Sequence, residues 1–252
     1  MAARLTTLAA TLAMLAAASP SDAPLRRPAM DRLPRLFVWA WERPEDLRDL
    51  DRGIGVAFLA QTITITGDRV QVSPRRQPLH VSPAATLVAV TRIEAAVPDA
   101  PAAQRPPLGA IASTLAATAA LPRVAAIQLD FDAVASDREF YRALIRALRD
   151  RLPASMPISI TALASWCAGD DWLEGLPIDE AVPMLFRMGP ANEPFRRLAT
   201  SRVAASPRCR GAIGASLDEP LDIRPDDRRV YIFNPLPWSR LALLQARSRV
   251  TR

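Results

Sequence analysis

Eight short runs of β-branched, aromatic and small apolar residues recur along this chain, and most are followed by a segment with helical spacing. That recurrence is the strongest constraint on the fold. Parallel strands buried on both faces read as near-continuous apolar runs, and successive parallel strands need a crossover between them. The runs are Leu36–Trp41, Ile54–Ile65, Thr86–Glu94, Val124–Ala133, Ile158–Trp166, Ala181–Met188, Gly211–Leu217 and Val230–Asn234. Helices are predicted over Glu45–Leu50, Leu108–Leu121, Ser136–Leu152, Glu193–Arg202 and Ser239–Arg247, with a short loop-helix segment around Asp170–Leu176. Ser136–Leu152 carries the clearest signal, a Ser136/Glu139 capping box followed by Phe140, Leu144, Leu148 and Leu152 at helical spacing. Gly67-Asp68 marks a turn and Val70–Val72 a returning arm, so a hairpin replaces the helix between the second and third strands. Eight strands in about 230 residues match a single α/β domain, a (β/α)8 TIM-barrel-like fold over residues 35–252, irregular between strands 2 and 3. The structural alternative, an open doubly wound sheet, calls for a glycine-rich turn after its first strand, and Leu36–Trp41 is followed by Glu42-Arg43-Pro44.

Residues 1–23 have the order of a secretory signal: Arg4, an apolar run from Leu5 to Ala18, then small residues ending at Ala23. Cleavage is expected after Ala23 or Ala18, and the protein is expected to be exported, periplasmic or extracellular, with no membrane span after signal removal. The competing reading is an uncleaved, poorly ordered tail. Residues 24–34, with Pro24, Pro28 and Pro34, read as an extended lead-in.

Composition removes several chemistries. All 32 of the lysine-plus-arginine positions are arginine, which excludes a lysine Schiff base and lysine-bound pyridoxal phosphate. A single histidine, His80, leaves little for a histidine metal centre, and nine glycines supply no glycine-rich phosphate loop. No metal and no cofactor are expected. The formal charge of +6 raises the question of nucleic acid, but the arginines are dispersed in pairs among acidic residues, so solvated faces are expected and nucleic acid is not a partner.

In the fourth run Gln128, Asp130 and Asp132 alternate with Ile127, Leu129 and Phe131, which puts the polar set on one face of an extended strand. In a barrel the carboxyl ends of the strands share one rim, where barrel enzymes keep their chemistry. The rim residues predicted from the other runs are Trp41, Glu42, Gln61, Glu94, Trp166, Arg187, Asp218, Glu219, Asn234 and Trp238. Carboxylates beside tryptophans suit a sugar, because pyranose faces stack on indoles while acids protonate or attack at the anomeric centre. Asp130, Asp132, Asp218 and Glu219 are the candidate catalytic residues; Trp41, Glu42, Trp166, Arg187, Asn234 and Trp238 are the candidate substrate-binding residues. The structural alternative makes Asp130 and Arg187 a buried ion pair and the tryptophans core fillers.

The run A-I-Q-L-D-F-D resembles the fourth-strand signature of chitinase-like family 18 glycosidases, in which two aspartates precede a glutamate at alternate positions. On that pattern Gln128 and Asp130 take the aspartate positions and Asp132 that of the proton-donating glutamate. The departures are a glutamine for the first aspartate and an acid one methylene shorter. The chain also resembles a family of exported bacterial proteins catalogued as a domain of unknown function, predicted to be glycosidase-like barrels. F-V-W-A-W-E-R-P from Phe37, I-Q-L-D-F-D-A from Ile127, S-I-T-A-L-A-S-W-C from Ser159, E-A-V-P-M-L-F-R-M-G from Glu180 and S-L-D-E-P from Ser216 carry that likeness. A second mapping follows the large glycosidase clan with its acid after the fourth strand and its nucleophile after the seventh, which pairs Asp132 with Asp218 or Glu219. Carboxyls about 5 Å apart then imply retention and roughly 6.5–9.5 Å inversion.

Two functions are expected from these residues: a glycoside hydrolase using carboxylate acid/base chemistry, or a non-catalytic glycan-binding or envelope scaffold protein derived from one. Either has a carbohydrate or cell-envelope glycan as partner. Cys167 and Cys209 are the two cysteines, and export favours a disulfide between them. Barrel topology opposes it, since one follows the fifth strand and the other precedes the seventh, on nominally opposite rims. His80 is expected at a strand edge.

Overall fold

The computed structural model describes residues 28–95, 107–134, 137–168, 171–190, 193–200, 206–220 and 228–250. The predicted signal peptide, the Ser136 capping position and residues 98–106 of the proline-rich stretch lie outside the described residues.

The strands in chain order are β1 (Leu36–Ala40), β2 (Glu45–Leu47), β3 (Ile54–Thr66), β4 (Arg69–Pro74), β5 (Leu79–Val81), β6 (Leu87–Ala95), β7 (Val124–Asp130), β8 (Ile158–Leu163), β9 (Glu180–Met184), β10 (Ala212–Ser216) and β11 (Arg229–Phe233). Parallel pairing runs β1-β3-β6-β7-β8-β9-β10-β11, and β11 pairs back onto β1, so eight of them close a parallel barrel. The helices are α1 (Pro28–Asp31), α2 (Leu108–Ala117), α3 (Arg138–Arg149), α4 (Ala164–Cys167), α5 (Glu193–Thr200) and α6 (Arg240–Ser248). The chain is a (β/α)8 TIM-barrel-like domain, and the irregularity falls where the hairpin signal put it, with β4 antiparallel to β3 and no helix between β3 and β6.

Two separate apolar layers follow from the period-2 geometry of the staves. Phe37, Trp39, Ala57, Val88, Val90, Ala126, Val182, Ala212, Tyr231 and Phe233 fill the barrel interior. Ile127, Leu129, Phe131, Tyr141, Leu144, Ile145 and Leu148 belong to the outer layer between staves and helices. Large rings on β1 and β11 are matched by small residues elsewhere: a Cβ on Gly55 would lie 2.2 Å from Cε1 of Phe37, whose ring stacks on Tyr231 at 5.1 Å. Only glycine fits there.

The base of the barrel is sealed by a buried polar network. Tyr231 Oη donates to Glu180 at 2.9 Å, Ser159 Oγ donates to Glu180 at 3.3 Å, Gln128 Nε2 donates to Ser159 Oγ at 3.0 Å, and Arg229 pairs with Glu180. Arg229 also donates to the carbonyls of Pro34 at 2.9 Å and Met30 at 2.5 Å, so the lead-in caps this end. Part of it, Pro28–Asp31, is a helical turn rather than extended chain.

Several boundaries differ from expectation. Glu45–Leu50 is not a helix; Glu45–Leu47 is β2, paired in parallel with β5. Glu45 is drawn inward to accept from Arg43 Nε at 2.7 Å and from the Trp238 amide at 2.8 Å, contacts that local helix propensity does not see. Of the predicted stripe, Leu144, Leu148 and Leu152 are buried as expected; Tyr141 and Ile145 join them, and Phe140 is only partly buried. Cys167 and Cys209 form a disulfide with Cα atoms 5.8 Å apart. The opposite-rim objection fails because α4 leaves β8 at once and packs against α5 outside the barrel, where the Ser206 amide donates to the Cys167 carbonyl at 2.9 Å. His80 sits exposed on β5, at a strand edge.

Candidate functional site

A cleft of about 430 Å³ opens at the carboxyl ends of the staves. Its floor is aromatic. Trp39 and Trp41, two apart on and after β1, point the same way and stack at 5.0 Å with 16° between planes. Phe233, at the end of β11, meets Trp39 edge-on at 3.8 Å, and Phe186, beyond β9, meets Phe233 at 4.8 Å. Trp39 is 1% exposed, and its Nε1 is buried with no hydrogen-bond partner among the described residues. A buried donor left unpaired costs roughly 1–3 kcal/mol.

The acidic wall comes from β7. Alternation carries Ala126 and Gln128 into the barrel, Asp130 to its mouth and Asp132 out into the cleft, where it is exposed. Asp130 is buried and held on both oxygens: Thr161 Oγ1 donates to Oδ1 at 2.9 Å and Arg92 Nη1 to Oδ2 at 3.1 Å. Burial pushes the Asp130 carboxyl above the usual carboxylate range and Asp132 adds to the rise, against the opposing pull of Arg92 and Thr161. The Tyr141 phenol, in the layer behind, is pushed well up by burial and by the same two aspartates.

Arg187 stands across the cleft with a left-handed backbone, φ 56°. Glu219 holds that conformation by accepting from the Arg187 amide at 3.0 Å, and Asp218 accepts from its guanidinium at 3.0 Å. Asp218 takes a further bond from Ser216 Oγ, and this hydroxyl, with Arg187, holds its carboxyl below the ordinary range. The ion pair between Asp130 and Arg187 that the structural alternative calls for is not formed: each has another partner, Arg92 for one and the Asp218/Glu219 loop for the other.

The structure brings Asp130, Asp132, Trp41 and Arg187 to one cleft and places Asp218 and Glu219 against Arg187 at its border. The remaining predicted residues go elsewhere. Trp166 lies on α4 in the outer layer, edge-on to Trp172 at 4.8 Å, because β8 ends at Leu163 and the helix turns the indole away from the mouth. Trp238 is buried outside the barrel and donates from Nε1 to the Trp39 carbonyl at 2.9 Å. Asn234 closes its own turn by accepting from the Leu236 amide at 3.2 Å. Glu42 caps the amides of Arg76 and Gln77 at 2.8 and 3.1 Å, beside a second hollow on the β3–β4 hairpin. Gln61 faces outward to Thr91 and Thr114, and Glu94 pairs with Arg92 at 2.9 Å.

Arg92, Thr161, Phe186, Phe195 and Phe233 are cleft or supporting residues that the sequence reading passed over. Parity on β6 was the available signal for Arg92, which follows the inward-facing Val88 and Val90 and is the register partner of Asp130. Among the described residues no group of three or more histidine, cysteine, aspartate and glutamate side chains gathers to hold a metal, and no helix is long and apolar enough to cross a membrane. What these features define together is an α/β barrel with an acidic and aromatic cleft at the carboxyl ends of its strands. No family model, curated protein or solved structure matches this chain.

Proposed function

We propose that this protein is an exported, glycoside-hydrolase-like barrel that takes a glycan in the rim cleft and cleaves it by carboxylate acid/base chemistry, with Asp132 as proton donor. The observation that carries the reading is the meeting of exposed Asp132 and buried Asp130 with the stacked Trp39–Trp41 pair in one cleft. A sugar ring lying on the Trp41 face leaves its hydroxyls to Asp130 and Arg92, and its glycosidic oxygen to Asp132. Protonation of that oxygen lets the C1–O bond break, and water completes the hydrolysis; Asp218 and Glu219 are the carboxylates for the opposite side of the ring. The motif likeness to exported glycosidase-like barrels points the same way, and the Cys167–Cys209 disulfide supports an oxidising compartment.

One observation favours the non-catalytic alternative, a glycan-binding or envelope protein: Asp130 is already occupied by Arg92 and Thr161 as an acceptor of two hydrogen bonds. A panel of glycosides and peptidoglycan fragments separates the two. Hydrolysis by wild type, abolished in Asp132→Asn while oligosaccharide binding persists, supports the enzyme; binding by both with turnover by neither supports the binding protein.

A further inference from the structure

The cleft is chemically two-sided. Arg92, Asp130 and Asp132 line the side built on β6 and β7, and an apolar wall lines the side built on β8, β9 and α5. We propose that the ligand of this cleft is amphipathic, a sugar bearing an alkyl, acyl or aryl group, and that Leu163, Met184, Phe186, Met188 and Phe195 receive the apolar part. This rests on the reading that the polar side takes a sugar.

Three separate chain segments send large apolar side chains to the same wall, and two of these, Leu163 at 41% and Phe195 at 39%, are exposed to a degree that core residues here never show. Scattered exposed apolar residues need no explanation, but convergence on a concave surface next to polar groups marks a binding site. Leucine and methionine offer neither a flat face for a pyranose nor a hydrogen bond for its hydroxyls, so pressing a sugar against them would desolvate hydroxyls without return. Flexible thioethers mould instead to hydrocarbon of irregular shape. Ser165 and Arg187 are the polar members on that side, and the Arg187 guanidinium is turned to Asp218 and Glu219. A cleft of about 430 Å³ falls within the range, roughly 300–1,000 Å³, that houses a ligand larger than one ring.

The test is a series of n-alkyl glucosides from methyl to octyl, kept below their critical micelle concentrations, with binding followed by calorimetry. Affinity is expected to rise with each methylene, approaching about fourfold where the group is fully buried. Phe195→Ser and Leu163→Ser, both at exposed positions, should flatten the rise, while Leu244→Ser on the distant exposed face of α6 should leave it intact. Affinity independent of chain length, a rise that neither cleft variant alters, or equal binding of the matching n-alkanols would overturn the proposal. Length-dependent binding without hydrolysis would support it and sink only the catalytic reading; hydrolysis of unsubstituted oligosaccharides with no gain from the alkyl chain would do the reverse.

Discussion

Replacing Arg92 by methionine should cost about 2 kcal/mol of stability near neutral pH, a factor of roughly 30 in the folding equilibrium, and almost none in acid. Asp130 is 7% exposed, and its Oδ2 receives Arg92 Nη1 at 3.1 Å. At that separation and an effective dielectric constant of about 20, the gross attraction is about 5 kcal/mol. Breaking a fully buried pair typically costs about 3–5 kcal/mol, and an exposed pair contributes about 1 kcal/mol or less. The Arg92 side chain is 36% exposed and shared with Glu94, so screening by water brings the expected loss between those limits. Methionine keeps most of the apolar stem, which isolates the charge.

The pH dependence has a definite sign. Burial first, then Asp132, holds the Asp130 carboxyl above its ordinary value, with Arg92 the largest opposing influence. A carboxyl raised in the folded state keeps its proton where the unfolded chain has released it, so its contribution is fully present below the unfolded pKa and is lost as pH rises through the folded value. Arg92→Met moves that folded value further up and widens the window. Below the folded value of wild type, where Asp130 carries its proton in both proteins, the ion pair is gone from wild type too and the two proteins converge. Urea unfolding of wild type, Arg92→Met, Asp130→Asn and the double variant, in acid and near neutrality, gives the coupling directly, with other titrating groups cancelling in the cycle. An Arg92→Met loss of equal size at both pH values, or additive losses in the double variant near neutrality, would refute the reasoning.

Two further outcomes test the scaffold. Changing both Cys167 and Cys209 to serine should lower stability by about 3–4 kcal/mol, the loop-closure value for a bridge spanning 42 residues, as read by urea unfolding of oxidised protein; unchanged stability would mean that the bridge does not constrain the chain. Gly55→Ala should cost roughly 1–3 kcal/mol because Phe37 is fully buried against Tyr231 and cannot retreat, while Gly53→Ala, with open space around it, should stay within about 0.5 kcal/mol; equal thermal shifts for the pair would contradict the packing.

The eight staves were legible because each is buried on both faces, so its composition alone announces it. Strand ends were less so, and the site depends on them. S-I-T-A-L-A-S-W reads as one unbroken run to Trp166, yet the strand stops at Leu163 and α4 begins at the next residue. That boundary decides which large side chain enters the cleft: Leu163 does, and the more conspicuous tryptophan does not. Trp238 misled in the same way, since an indole after the last stave reads as rim although its N–H is claimed by the Trp39 backbone. Pairing across the barrel was harder still, because the choice of Arg92 over Arg187 as partner of Asp130 depends on register between neighbouring staves, which composition does not encode.

The inward residues of β7 leave its accessible polar groups at one end of the barrel. Gln128 is wholly enclosed and joins, through Ser159, the Glu180–Arg229–Tyr231 network that α1 and the lead-in close off from below. Asp130, one pleat higher, is still buried but tied to groups at the mouth, and Asp132, the next inward position, is in the open cleft. The same alternation that makes the strand a stave thus grades its polar side chains from structural to accessible over five residues of chain, from Gln128 to Asp132. Asp130 is the hinge of that grading. Buried enough to resist ionisation and near enough to Asp132 to feel its charge, it can serve a reacting partner only to the extent that Arg92 leaves it free. On the proposed reading, with Asp132 as proton donor, the strength of that ion pair sets how far Asp130 can assist it.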